Sequence, residues 1–149
     1  MAQTEETEGP YGALERELGV LWRRARATSD RLSRAVHPDL DSAAYGLLIL
    51  LRDQGPARPS ELAAYVGVGK ATISRQLKVL ENLKLIEREA DPADGRAHRL
   101  ALTREGRDRM DAVRFARRER LHTSLSNWPE EDIGTLATLL ARINALGSD

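Results

Sequence analysis

Cysteine is absent from the 149 residues of this chain. That excludes disulfides, thiolate metal sites and thiol-based redox sensing within it. Aromatic side chains are scarce, with one Phe, two Trp and three Tyr. Neither sign of charge is in excess: Lys+Arg and Asp+Glu number 23 each, so the formal net charge is zero. Binding to a polyanion therefore cannot rest on bulk charge. It needs a local basic face, because phosphate attraction is screened over short distances. No apolar run approaches the length of a membrane span. The opening MAQTEETEGP is acidic and polar, unlike a secretory signal with its basic start and apolar middle. A cytoplasmic protein without membrane contact is the expectation.

Catalytic signatures are missing too. There is no P-loop, no Gly-rich dinucleotide turn and no nucleophile elbow. His37, His98 and His122 share no metal-ligand spacing, and no carboxylate is paired so as to fix acid–base roles. Neither an enzyme, a cofactor nor a metal is expected.

What is present is a helical pattern. Leu14, Leu18, Leu21, Ala25, Leu32 and Val36 form one apolar stripe on a long first helix, ended by His37-Pro38-Asp39. Asp41 or Ser42 can cap a second helix, AAYGLLILL, which is apolar all round and stopped by Gly55-Pro56. Pro59 suits the first turn of a third helix, with Leu62 and Val66 facing inward. Gly67 stands where the chain leaves it, and Val68 plugs the turn. Ile73, Leu77 and Leu80 form the inward stripe of a fourth helix. The spacing of Ala63, Gly67 and Ile73 is that of a helix-turn-helix with a tight crossing.

A period of two follows. Ile86, Arg88 and Ala90 alternate with Glu87 and Glu89, and Leu100 and Leu102 with Arg99 and Ala101. Two short strands joined by DPADGRA, with Asp94-Gly95 as the turn, make a β-hairpin wing. Thr103 can cap a fifth helix, with Met110, Val113, Leu121 and Leu125 on its apolar side. Asn127-Trp128-Pro129 breaks it. Pro129 suits the first position of a sixth helix, whose apolar face is Ile133, Leu136, Leu139, Leu140 and Ile143, with Gly147 as its stop.

The chemistry of the fourth helix lies opposite its apolar stripe. Arg75 can reach guanine O6 and N7, Ser74 and Thr72 can bond bases or phosphates, and the Ala71 methyl can touch thymine. Lys70 and Lys78 suit phosphate contact. On the wing, Arg96 can enter a narrow minor groove, and Asp94 can accept hydrogen bonds that fix the tip. A solvated helix face explains any one of these residues singly; helix-turn-helix and wing together favour DNA contact. On the fifth helix, Arg114, Arg117, Arg118 and Arg120 are expected to be a solvated face, salt-bridged to Asp108, Asp111 and Glu119.

Taken together, these residues resemble the MarR family of bacterial transcription regulators, from about Leu14 to Leu146. DPADGRAHRLALTREG is similar to the family's wing signature in Asp94, Arg96, Leu102 and Thr103. PSELA and TISRQLKVLENLKLI are similar to its DNA-reading helices. Two positions depart from the pattern. Arg58 replaces a Ser or Thr cap, so that helix start is expected to lean on Ser60, and Gly95 replaces a second wing arginine.

The resemblance implies a mainly α fold with a small β-hairpin wing. Residues 1–10 would be a disordered tail, 38–103 a winged helix-turn-helix DNA-binding domain, and 11–37 with 104–146 a dimerisation region. It implies a homodimer that binds double-stranded DNA at pseudo-palindromic sites, a repressor released by an aromatic or anionic small molecule. Trp22 and Tyr45 are candidates to line the effector cleft. The competing reading is a winged-helix protein–protein module that never reads DNA, which neutral charge and the acidic N-terminus favour.

Overall fold

Residues 9–146 are described by a computed structural model. The expected tail lies outside the described residues up to position 8, while Pro10 opens the first helix. In order come α1 (Pro10–Val36), α2 (Ser42–Gln54), α3 (Pro59–Val66), α4 (Lys70–Asn82), β1 (Ile86–Asp91), β2 (Asp94–Leu102), α5 (Arg104–Ser124) and α6 (Glu130–Ala145). This is the mainly helical fold with a hairpin wing that the sequence predicts. The chain divides into two compact units, 1–111 and 112–149.

The core of the first unit grows around α2. Asp41 caps it, accepting the Ala44 N–H at 2.7 Å, and Gly55 ends it at φ 86°. Ala44, Tyr45, Leu47, Leu48, Leu50 and Leu51 are all buried, so the helix is enclosed on most sides as its composition predicts. α2 contacts α1, α4 and β2, and Leu62 of α3 and Ile73, Leu77 and Leu80 of α4 are each essentially inaccessible. Val66 departs from expectation. It is exposed rather than inward, because α3 is only eight residues long and Val66 closes its last turn beside Gly67. Gly67 takes the left-handed conformation at φ 72°, and its N–H and that of Val68 both donate to the Ala63 carbonyl.

The start of α3 also differs from expectation. Arg58 is its N-cap, but the backbone N–H of Arg58 donates to Glu61 Oε2 at 2.7 Å, so Glu61 and not Ser60 anchors this end. The Arg58 side chain is thereby left for other work.

The hairpin is longer and tighter than its sequence suggests. β1 and β2 pair antiparallel from Ile86 opposite Leu102 out to Asp91 opposite Asp94. The turn is Pro92-Ala93, and Asp94, Gly95 and Arg96 are already strand. The Asp-Gly pair loses the turn because Asp91 closes the loop one step earlier, its Oδ1 accepting the Ala93 N–H at 2.8 Å. Ala57, before α3, adds a third partner. It exchanges two backbone hydrogen bonds with Leu100 of β2, at 3.1 and 2.8 Å.

Behind the wing, α4, β1 and α5 meet at one point. Lys84 leaves α4 in the left-handed region at φ 58°. The Thr103 hydroxyl donates to the Lys84 carbonyl at 2.7 Å and accepts the Gly106 N–H at 2.9 Å, so Thr103 caps α5 as expected. Gly106 is buried there, and a Cβ on it would overlap the Leu85 carbonyl oxygen. One turn further on, Arg109 donates to the Val36 carbonyl at 3.0 Å and pairs with Glu105 at 2.7 Å. That bond satisfies an otherwise open carbonyl at the end of α1.

The second unit carries the end of α5, a turn through Trp128, and α6. Pro129 is the residue before α6 rather than its first, and Glu130, Glu131 and Asp132 occupy the first turn, where the helix dipole favours them. No residue of α6 is buried. Leu136, Leu139, Leu140 and Ile143 all lie on its surface, as do Phe115 and Leu121 on α5. Gly147, expected to stop α6, lies outside the described residues.

Gly106→Ala should destabilise the fold despite the helix propensity it gains. Overpacking against a fixed carbonyl costs about 1–3 kcal/mol, partly offset by about 1 kcal/mol of propensity. Urea unfolding should show a lower midpoint with an unchanged slope. Equal or greater stability would mean that the Leu85 backbone moves aside freely.

Candidate nucleic-acid interface

Exposure sorts the residues of α4 into two faces. Ile73, Leu77 and Leu80 are buried, while Lys70, Ala71, Ser74, Arg75 and Lys78 are exposed and Thr72 is half-buried between them. The sequence-predicted reading residues of α4 therefore stand together. The inward stripe makes this orientation obligatory, since turning the helix would expose three large apolar side chains.

The wing stands beside that face. A groove of about 600 Å³ runs between them. Pro59, Lys70 and Ser74 line its helical side, and Arg88, Ala97 and His98 its strand side. Asp94 and Arg96 lie further along β2, both exposed, and Asp94 Oδ1 accepts the Arg96 N–H at 3.1 Å.

The ion pairs of this unit divide its cations into two groups. Arg88 is held by Glu81 of α4, Arg99 by Glu89 across the hairpin at 2.8 Å, and Arg58 by Asp91 at 2.6 Å. Lys70, Arg75, Lys78 and Arg96 have no ion-pair partner among the described residues. A chain of zero net charge thus keeps four free cations on the exposed side of α4 and the wing, while Glu81, Glu89 and Asp91 are each paired with an arginine. That is the local basic face which bulk composition could not supply.

The Arg58–Asp91 pair was not legible from spacing, since its members are 33 residues apart. Asp91 is buried, and its two oxygens are used separately. One takes the Ala93 N–H and the other the Arg58 Nε–H. The Ala93 bond and the Arg58 guanidinium, with Arg99 adding a weaker attraction, hold the carboxyl below the usual carboxylate range.

Other predicted residues are not brought together. Tyr45 is in the core, whereas Trp22 is exposed on α1 in a shallow cleft with Gly19, Arg23, Ala25 and Arg26. The arginines of α5 are solvated but not salt-bridged as expected. Asp108 pairs with Arg104, at 4.0 Å, and Arg114, Arg117, Arg118 and Arg120 have no ion pair among the described residues. Those residues hold no cluster of three or more His, Asp or Glu able to bind a metal, and none of their helices is long and apolar enough to cross a membrane.

The fold and this face define a winged helix-turn-helix protein. Comparison with known proteins makes the class specific. A MarR family model matches residues 39–97. An uncharacterised HTH-type transcriptional regulator of Bacillus subtilis, YxaD, is 33% identical over 139 residues, covering 93% of this chain and 96% of that one. The HTH-type transcriptional repressor NicR of Pseudomonas putida is 34% identical over 106 residues, 70% of this chain and 66% of its own length. The fold is also that of Streptococcus pneumoniae FabT, crystallised in complex with DNA, with TM-score 0.75 and 19% identity over 91% of this chain and 96% of that one. The chain belongs to the MarR family of HTH-type transcriptional regulators.

Stability should depend on pH through Asp91. Its folded pKa lies below the unfolded value of about 3.9, so its contribution is complete above that pH. It is lost as pH falls through the lowered folded value. In urea unfolding, wild type should exceed Asp91→Asn by a constant margin from pH 7 to about 5, and the margin should close below about pH 4. A margin unchanged down to the acid limit of folding would show that the charge of Asp91 contributes nothing.

Proposed function

We propose that this chain is a sequence-specific DNA-binding repressor that acts as a homodimer. The observation that carries the reading is the set of unpaired cations, Lys70, Arg75, Lys78 and Arg96, beside the small polar Thr72 and Ser74 on one face. α4 enters the major groove in this reading. Arg75 reads guanine, Thr72 and Ser74 bond bases or phosphates, and Ala71 meets a thymine methyl. Lys70 and Lys78 hold phosphates and so set register rather than sequence. Arg96 reaches the neighbouring minor groove, with Asp94 holding the strand beneath it. The groove between α4 and β2 receives the intervening backbone, lined there by Arg58, Lys70, Arg88 and His98.

Residues 38–103 are the DNA-binding part of this proposal, and 11–37 with 104–146 the dimerisation part. The uncovered apolar side chains support the second assignment: Tyr11, Leu14 and Leu21 of α1, and Leu136, Leu139, Leu140 and Ile143 of α6. Surfaces of this kind call for a partner. A second copy places two reading helices about one DNA turn apart, on a pseudo-palindrome. Repression is in keeping with NicR, which is named a repressor. An aromatic or anionic effector completes the proposal. Exposed Trp22 beside Arg23 and Arg26 is the surface suited to it, whereas Tyr45 is buried in the core. Such a ligand must bind the DNA-competent and incompetent forms unequally.

Selection of bound sequences from a random DNA pool tests DNA binding, half-site spacing and symmetry together. On the selected site, Arg75→Ala should cost about 1–3 kcal/mol and relax specificity, while Lys78→Ala should weaken all sequences alike and lower the salt slope by about one. Recovery of no sequence preference, together with a monomer in light scattering, would defeat the proposal and favour a protein–protein module.

A further inference from the structure

Arg58 stands at a family capping position, yet its side chain caps nothing. Glu61 has taken over the backbone N–H, and the Arg58 guanidinium turns to the wing, where Nε donates to Asp91 Oδ2 at 2.6 Å. Asp91 lies at the far end of β1 and takes the Ala93 N–H with its other oxygen. A continuous set of bonds thus runs from the start of α3 through Arg58 and Asp91 to the Pro92-Ala93 turn. Across that turn Asp91 pairs with Asp94, whose carboxylate holds the Arg96 N–H.

The wing is already tied near its base by the two Ala57–Leu100 bonds. The Arg88–Glu81 pair ties β1 to α4 at the same level, since Arg88 lies opposite Leu100, and a hairpin held only at its base can pivot. Arg96 lies four residues out along β2, a lever of roughly 13 Å at the rise of an extended strand. A pivot of about ten degrees would carry it about 2 Å sideways, most of a hydrogen-bond length. A second tether near the tip removes that freedom. Its partners come from adjacent residues, Ala57 and Arg58, so both tethers refer the wing to the same backbone that begins α3.

We propose that Arg58 is a wing-positioning residue: through Asp91 it fixes where Arg96 stands relative to α4. This rests on the DNA-binding reading given above. It adds a specificity role for a residue that need not touch DNA. It also explains how a wing with Gly95 beside its one tip arginine presents that arginine in a defined place. The rigidity comes from below rather than from a second cation.

Two mechanisms compete, and charge separates them. If Arg58 instead gripped a phosphate directly, Asp91→Asn would release it and remove a negative charge, so binding would tighten. Positioning requires the opposite: Asp91→Asn should weaken binding to the selected site even though the protein becomes more positive.

A double-mutant cycle is the main test, read by fluorescence anisotropy on the full chain at a temperature where circular dichroism shows every variant folded. Arg96→Ala should lower affinity about tenfold in the wild-type background and less than about twofold in Arg58→Gln, because a misplaced arginine has little left to lose. Fold changes that simply multiply, or tighter binding by Asp91→Asn, would overturn the proposal. A DNA-free arm separates this from failure of the DNA reading. By NMR hydrogen exchange, Arg58→Gln and Asp91→Asn should each speed exchange of the Ala93 and Arg96 amides while the Leu100 amide stays protected. If both variants leave the Ala93 and Arg96 amides unchanged, the pair does not position the wing, whether or not the protein binds DNA.

Discussion

Strand β2 is held along its length by backbone and side-chain bonds from three directions, and the geometry of the reading surface depends on that hold. β1 pairs with it on one edge, Ala57 bridges Leu100, and the Thr103 cap joins its end to α5 and to the Lys84 carbonyl. An isolated two-stranded hairpin is marginal in water. Here the hairpin borrows the rigidity of α3, α4 and α5, whose positions the apolar core around α2 determines. Gly106 shows how tight the arrangement is, because at the crossing of α5 and Leu85 there is no room for a methyl group.

Electrostatics on this surface follow from pairing rather than from counting. Arg58, Arg88 and Arg99 are each matched to a carboxylate that belongs to another segment. The more exposed pairs, Arg88–Glu81 and Arg99–Glu89, add little stability. The effect of all three is to match Glu81, Glu89 and Asp91 with cations beside the free cations of α4 and β2. An uncompensated carboxylate at those positions would oppose the attraction of any polyanion to the free cations. A net charge of zero is therefore compatible with a strongly polarised face.

Periodicity made the helices legible, because burial repeats every three or four residues and every buried position on α4 had declared itself as Ile or Leu. Local caps were legible for the same reason: Asp41 and Thr103 act within three residues of themselves. The hairpin was legible as a period of two, but its turn was misplaced. The Asp-Gly signal is local, whereas the actual turn is set by Asp91, whose conformation is shared between the Ala93 N–H and Arg58 far upstream. Val66 is apolar yet exposed, because α3 is too short to bury both of its ends. The polar face of α4 was readable from residue spacing alone. The bonds that aim the wing were not, since nothing in spacing reports a contact between residues distant in sequence. Ala57 is the plainest case, an unremarkable small residue whose backbone completes a sheet.

The uncovered apolar surface bears on how a reading head of this size could be specific at all. One α4 presents a short polar face with a single arginine suited to guanine. A bidentate contact of that kind discriminates by about 1–3 kcal/mol, which is small against the excess of competing sites in a genome. Doubling the head multiplies discrimination, provided the two copies are rigidly spaced, and rigidity requires a broad apolar contact rather than a flexible link. α6 has no buried residue and α1 carries exposed Tyr11, Leu14 and Leu21, so both helices display the material for such a contact. Burying those side chains would be favourable at about 25 cal/mol per Å² of apolar area. On the proposed reading, the weak face of α4 and the apolar faces of α1 and α6 are complementary: the first needs a second copy, and the second offers it a surface.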